Sequence, residues 1–262
     1  MAAVRHLQIE YGFPSPLFAK MPRLERIIKG LRRIRGQQGK ALQKRIIVPA
    51  ILRQMRAYWV GIGSDYKCTM LWATVVTCFF GFMLAGELVV SHAQDFEPKK
   101  HLTFDSVAAD SWAEPTLIQV SLRTSKTDPY GRGINVVVGR TGDDLCPVQA
   151  MFNYLRMRGN GEGALFKHED GSPFTKPQLV MEVRKALESS GYCKAEYSGN
   201  SFRAGAATTA AELKIEDSII KTLGRWESTA YLLYIRIPRE QLVEVSRDLA
   251  QLGKSGGLGA RL

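Results

Sequence analysis

Cysteine, histidine and acidic charge are scarce in this sequence, and each scarcity excludes something. The four cysteines (Cys68, Cys78, Cys146, Cys193) are far apart and form no Cys-x-x-Cys pair. No disulfide framework is expected, and the thiols read as reduced groups of an intracellular protein. His6, His92, His101 and His168 are scattered, so no metal site is expected. The N-terminus lacks the basic and apolar regions of a secretory signal. Acid is outnumbered: 25 Asp and Glu face 36 Lys and Arg, a net charge of +11. Such an excess favours a polyanionic partner, nucleic acid first and anionic membrane second.

Charge is missing altogether from Cys68 to Gly86, a run of 19 residues. By length alone this is a membrane-span candidate, which leaves a membrane-associated basic protein as a remote alternative. Three threonines, two glycines and a C-terminal flank bearing Glu87 and Asp95 favour a buried helix in a domain core. No membrane partner is expected.

What is present is organised unevenly. Of the 262 residues, 45% are hydrophobic, enough to bury a core in one large domain or two small ones. Residues 21–45 hold nine Lys or Arg against one acid, Glu25. Leu24, Ile27, Ile28, Leu31 and Ile34 recur there at helical spacing. One sign of charge so concentrated reads as a phosphate-contacting helix and linker. The candidate contacts are Arg26, Lys29, Arg32, Arg33, Arg35, Lys40, Lys44 and Arg45. Helices are predicted from Ala2 to Tyr11, from Pro49 to about Val60, and from about Ser64 to Leu84. Thr116 to Leu122 and Ile134 to Val138 predict a β-hairpin joined through turn residues. Helices follow at about 147–158, 177–190, 201–213, 215–223, 228–235 and 239–250. The tail from Gly253 is rich in glycine and reads as flexible.

Ser198 to Arg236 carries the chemistry. Asn200 and Arg203 stand three apart at the head of a helix of small residues, which would let that helix approach a neighbour closely. Arginine suits a phosphate clamp because its fork matches two oxygens. Arg203 could equally pair with Glu212 or Glu216. Asn200 also fits the helix N-cap position after Ser198-Gly199. Gly224-Arg225-Trp226 follows, and Tyr234 lies eight residues past Trp226. Trp226 alone could be a core tryptophan, and Lys126 alone a solvated loop lysine.

Taken together, Asn200-x-x-Arg203, Gly224-Arg-Trp226 and Tyr234 resemble the tyrosine recombinases, the phage-integrase-like enzymes that cut and rejoin DNA through a 3′-phosphotyrosine. Thr124-Ser-Lys-Thr-Asp128 and Cys146-Pro-Val148 resemble the eukaryotic, transposon-borne branch. The resemblance implies a mainly α fold with a small β-sheet or hairpin, the DNA breaking–rejoining catalytic domain, over residues 45–250. Residues 1–44 would be a remnant of the helical core-binding domain with its basic linker, and 251–262 a tail. It implies Tyr234 as nucleophile, Arg203 as phosphate clamp, Lys126 as proton donor to the leaving oxygen and Trp226 as hydrogen-bond donor. No cofactor is implied; the implied partners are double-stranded DNA and further copies of the chain on it, in the nucleus.

Two positions depart from the pattern. Asn200 stands at the histidine of His-x-x-Arg and cannot titrate. Leu84 stands at the arginine of Arg-x-x-Glu-Leu, while Glu87 and Leu88 match. The expected activity is therefore DNA binding with weak or absent cutting, or a DNA-binding remnant that no longer cuts.

Overall fold

The computed structural model describes residues 26–27, 29–31, 44–123, 133–236 and 243. The chain divides into two compact units, 1–43 and 44–262. In the first, Arg26, Ile27, Lys29 and Leu31 lie on helical backbone with exposed side chains. The apolar positions Ile27 and Leu31 are therefore as open as the basic ones.

The second unit is helical with one small sheet. Helix α1 (Pro49–Val60) starts on a proline and buries Ile51, Leu52, Met55 and Trp59 along one face. Helix α2 (Asp65–Phe80) is capped by Ser64, whose hydroxyl accepts the Lys67 N–H. Met70 through Phe79 are all buried, because α2 runs through the core between later helices. No helix among the described residues is long and apolar enough to cross a membrane.

Helix α2 ends at Phe80, four residues short of the predicted Leu84. Phe82 takes φ +49°, its N–H donates to Phe79 O at 3.1 Å, and the Met83 N–H donates to Cys78 O at 2.8 Å. This is a Schellman termination with phenylalanine where glycine is usual. Apolar periodicity continues past the turn, so the sequence pattern overran it. Helix α3 (Ala85–Leu88) follows as a single turn.

Strands β1 (Val107–Ala109), β2 (Leu117–Leu122) and β3 (Ile134–Gly139) form an antiparallel sheet in chain order. Leu122 pairs with Ile134 across the predicted hairpin. Ile118, Val120, Leu122, Val136 and Val138 alternate inward, as a sheet with one covered face requires.

Among the described residues four longer helices follow: α4 (Pro147–Arg158), α5 (Lys176–Ser189), α6 (Ser201–Glu212) and α7 (Asp217–Leu223). α2 packs on α4 and α6, and α1 on α5. Gly205 lets α6 meet the chain at Ile47: a methyl group there would lie 1.8 Å from Ile47 O. α6 and α7 also close in Schellman turns, at Lys214 (φ +60°) and Arg225 (φ +57°). The helix predicted over 228–235 is a 3₁₀ segment, Thr229–Leu233, closed by the three-residue bond from the Tyr234 N–H to Tyr231 O at 2.9 Å. The helix predicted over 239–250 lies outside the described residues apart from Val243, and the one over Ala2–Tyr11 lies wholly outside.

Candidate functional site

The Schellman turn after α2 offers the Phe82 carbonyl to two arginines. Arg203, in the first turn of α6, donates Nε to it at 2.6 Å, and Arg225 donates Nη2 at 3.2 Å. Both guanidiniums then share Glu87 of α3. Arg203 Nη2 lies 3.0 and 2.8 Å from its two oxygens, and Arg225 Nη2 lies 2.9 Å from Oε2. Oε2 also accepts the Leu84 N–H at 2.8 Å. Two cations and one carboxylate leave a net positive charge in a nearly dry setting. Burial pulls the Arg225 guanidinium down and the Glu87 carboxylate opposes that pull; arginine stays charged in any case.

Above this network opens a cleft of about 940 Å³. Leu84, Asn200, Arg203, Trp226 and Tyr234 all line it. Lys126 lies outside the described residues, with the rest of the 124–132 connection. Arg203 keeps Nη1 free of acceptors among the described residues. The Trp226 ring stands 5.9 Å from the Arg203 guanidinium carbon and 5.1 Å from the Tyr234 ring. It is seated over Gly224, where a methyl group would fall 1.6 Å from the indole.

Two tyrosines stand beside Trp226, and their hydroxyls differ. Tyr231 donates to Asp217 Oδ2 at 2.7 Å, and that bond raises its pKa above the ordinary phenol value. The Tyr234 hydroxyl has no partner among the described residues, and the residue lines the cleft. Its backbone is held instead: Thr208 Oγ1 of α6 donates to Tyr234 O at 3.3 Å and accepts the Arg236 N–H at 3.0 Å.

Asn200 precedes α6, but its side chain caps nothing. The predicted N-cap bond is absent because Asn200 sits at φ −86°, ψ −11°, helical rather than extended. Its amide is left to the cleft. Arg203 does not reach Glu212 or Glu216; its carboxylate is Glu87.

Of the basic residues assigned to DNA, Lys44 donates to Ala195 O at 2.6 Å and Arg45 pairs with Glu196 at 2.7 Å, both at the surface. Arg26 and Lys29 are exposed on the first unit. Arg32, Arg33, Arg35 and Lys40 lie outside the described residues. Sequence reasoning passed over Arg225, although the Gly-Arg-Trp motif contains it, and over Lys176, for which no motif gave a signal.

No protein-family model matches the chain, and no curated protein does. Solved structures do. XerA recombinase superposes with a TM-score of 0.56 at 15% identity, over 94% of this chain and 72% of that one. XerH recombinase bound to a palindromic difH substrate gives 0.55 at 13% identity, over 77% and 51%. A lambda integrase dimer bound to a COC′ core site gives 0.50 at 13% identity, over 76% and 49%. The chain thus spans about half the length of the latter two. A mostly helical unit with a three-stranded antiparallel sheet, superposing on these enzymes, has the fold of the tyrosine-recombinase catalytic domain.

Proposed function

We propose that the chain is a DNA-binding protein of the tyrosine-recombinase type whose strand-cutting reaction is impaired. The observation that carries this reading is the meeting of Arg203, Trp226 and Tyr234 in one cleft that also holds Leu84 and Asn200.

In the reaction, Tyr234 Oη attacks phosphorus, the bond to the 5′ oxygen breaks, and a 3′-phosphotyrosine forms. The phenol loses its proton and the departing 5′ oxygen gains one. Arg203 Nη1 and the Trp226 indole N–H hold the non-bridging oxygens, and Lys126 is the donor to the leaving oxygen. Asn200 can orient a phosphate oxygen but cannot take the phenol's proton, and Leu84 offers no charge. A missing charge-stabilising donor costs roughly a hundred- to a thousandfold in rate. A missing base costs about a hundred- to ten-thousandfold, and the two losses do not simply multiply. DNA affinity, spread over many phosphate contacts, is far less affected. The Ser125-Lys-Thr-Asp128 and Cys146-Pro-Val148 motifs support an origin in the eukaryotic transposon-borne branch, and with it a nuclear location.

Trapping on nicked duplexes, from which the cut fragment diffuses away, tests the reading. The expected result is salt-sensitive DNA retention with slow adduct formation that disappears in Tyr234→Phe and rises about a hundredfold or more in Leu84→Arg. Retention with no adduct even in Leu84→Arg would identify a remnant that no longer cuts. Failure to retain DNA at low salt would overturn the proposal.

A further inference from the structure

Among the described residues, five cationic side chains line the cleft: Lys100, Arg123, Lys176, Arg203 and Arg225. Three are committed to the protein. Arg225 donates to Gly81 O, Phe82 O, Leu223 O and Glu87. Arg123 donates to Pro98 O and to Thr103 Oγ1. Lys100 pairs with Glu97 at 2.8 Å. Arg203 has one nitrogen to spare. Lys176 alone has no acceptor for its ammonium group among the described residues.

Its placement is specific. Lys176 is the first residue of α5, and its N–H donates to Val90 O at 2.8 Å. Thr175 caps the helix before it and Pro177 stiffens the turn after it. The stem lies across the seam between α3 and the turn into α6. A methyl group on Gly86 would sit 3.7 Å from Lys176 Cδ and 3.9 Å from Nζ, and one on Gly199 would sit 3.8 Å from Cε. Gly86 is two residues past Leu84, and Gly199 immediately precedes Asn200. Lys176 thus lies beside chain neighbours of both positions that lack an ionisable group, and all three residues line the same cleft.

We infer that Lys176 contacts the phosphodiester held in this cleft, supplying the positive charge that Leu84 cannot; the inference rests on the DNA-binding function proposed above. Lysine replaces the charge but not the two-pronged geometry of an arginine. The cleft can then keep its grip on phosphate while losing the alignment that speeds transfer.

The test is the salt dependence of duplex-DNA binding by the full chain as wild type, Lys176→Ala, Lys176→Arg and, as control, Lys194→Ala. Lys194 pairs with Glu188 away from the cleft. Each phosphate contact contributes about 0.9 to the slope of log K against log salt. Lys176→Ala is expected to lower the slope by about that amount and weaken binding several-fold, Lys176→Arg to restore both, and Lys194→Ala to change neither. In a Leu84→Arg background the loss caused by Lys176→Ala should fall to less than half. A wild-type slope in Lys176→Ala, with the wild type binding DNA, overturns this inference alone, as does an undiminished loss beside Arg at position 84. No binding by the wild type overturns the DNA reading as well. If Leu84→Arg does not fold, the Lys176→Ala slope decides.

Discussion

Arg203 and Arg225 meet on one carboxylate, with Nη2 atoms 2.8 and 2.9 Å from Glu87 Oε2. The three side chains are only 9–14% exposed, so removing the acid takes a largely buried partner from both guanidiniums. Leaving buried charge without its partner costs about 3–5 kcal/mol. Glu87→Ala should lower stability by about that much, and Glu87→Gln by less, since its amide oxygen still accepts hydrogen bonds. Denaturant midpoints at neutral pH check both.

Gly205→Ala should be nearly as severe. The added carbon would lie 1.8 Å from Ile47 O and 2.8 Å from its carbonyl carbon, so backbone must move. Overpacking with side-chain relaxation costs about 1–3 kcal/mol, and here the loss should be about 3 kcal/mol or more. Thermal unfolding measures it. A wild-type melting temperature would mean that α6 does not pack against residue 47 this closely.

Lys214→Gly should act in the opposite sense. Lys214 closes α6 at φ +60° with an exposed side chain. A left-handed conformation costs a non-glycine residue roughly 1–2 kcal/mol. Glycine's larger unfolded-state entropy returns part of that, so a net gain of up to about 1 kcal/mol is expected from urea unfolding.

Asp110 gives the protein an acid limb. Its carboxylate accepts the Thr116 hydroxyl and the N–H groups of Thr116 and Leu117, and these bonds bring it down to about 2. A carboxylate depressed on folding stabilises the native state above its ordinary value of 3.8, and that contribution fades as pH falls towards 2. Asp110→Asn should therefore be less stable than wild type at pH 7, with the gap closing between those two values. Unfolding followed across that range checks it, and equal stability at pH 7 would refute it.

The sequence made some of this plain and hid the rest for identifiable reasons. β2, β3, α1 and α4 were legible because alternation, or a proline at the first helical position, marks their limits within the segment itself. The end of α2 was not, although that of α7 was placed correctly at Leu223. In both, glycine stands one residue early, and Phe82 or Arg225 takes the left-handed position that glycine usually fills. That choice is made by tertiary contacts: the carbonyl of Phe82 and the guanidinium of Arg225 are needed at the Glu87 network. Arg203, Trp226 and Tyr234 were found by spacing within one short stretch. Lys176 was not, because it approaches the cleft from a separate helix and no local pattern sets it apart from a solvated lysine.

Thr208 links the two ends of the proposed chemistry. It lies on α6 five residues after Arg203, and its hydroxyl is bonded to the main chain on both sides of Ile235. The main chain at Tyr234 and the Arg203 side chain are thus both anchored to a single rod. A displacement of that rod carries both along, so their mutual spacing survives motions that would shift either against the rest of the cleft wall.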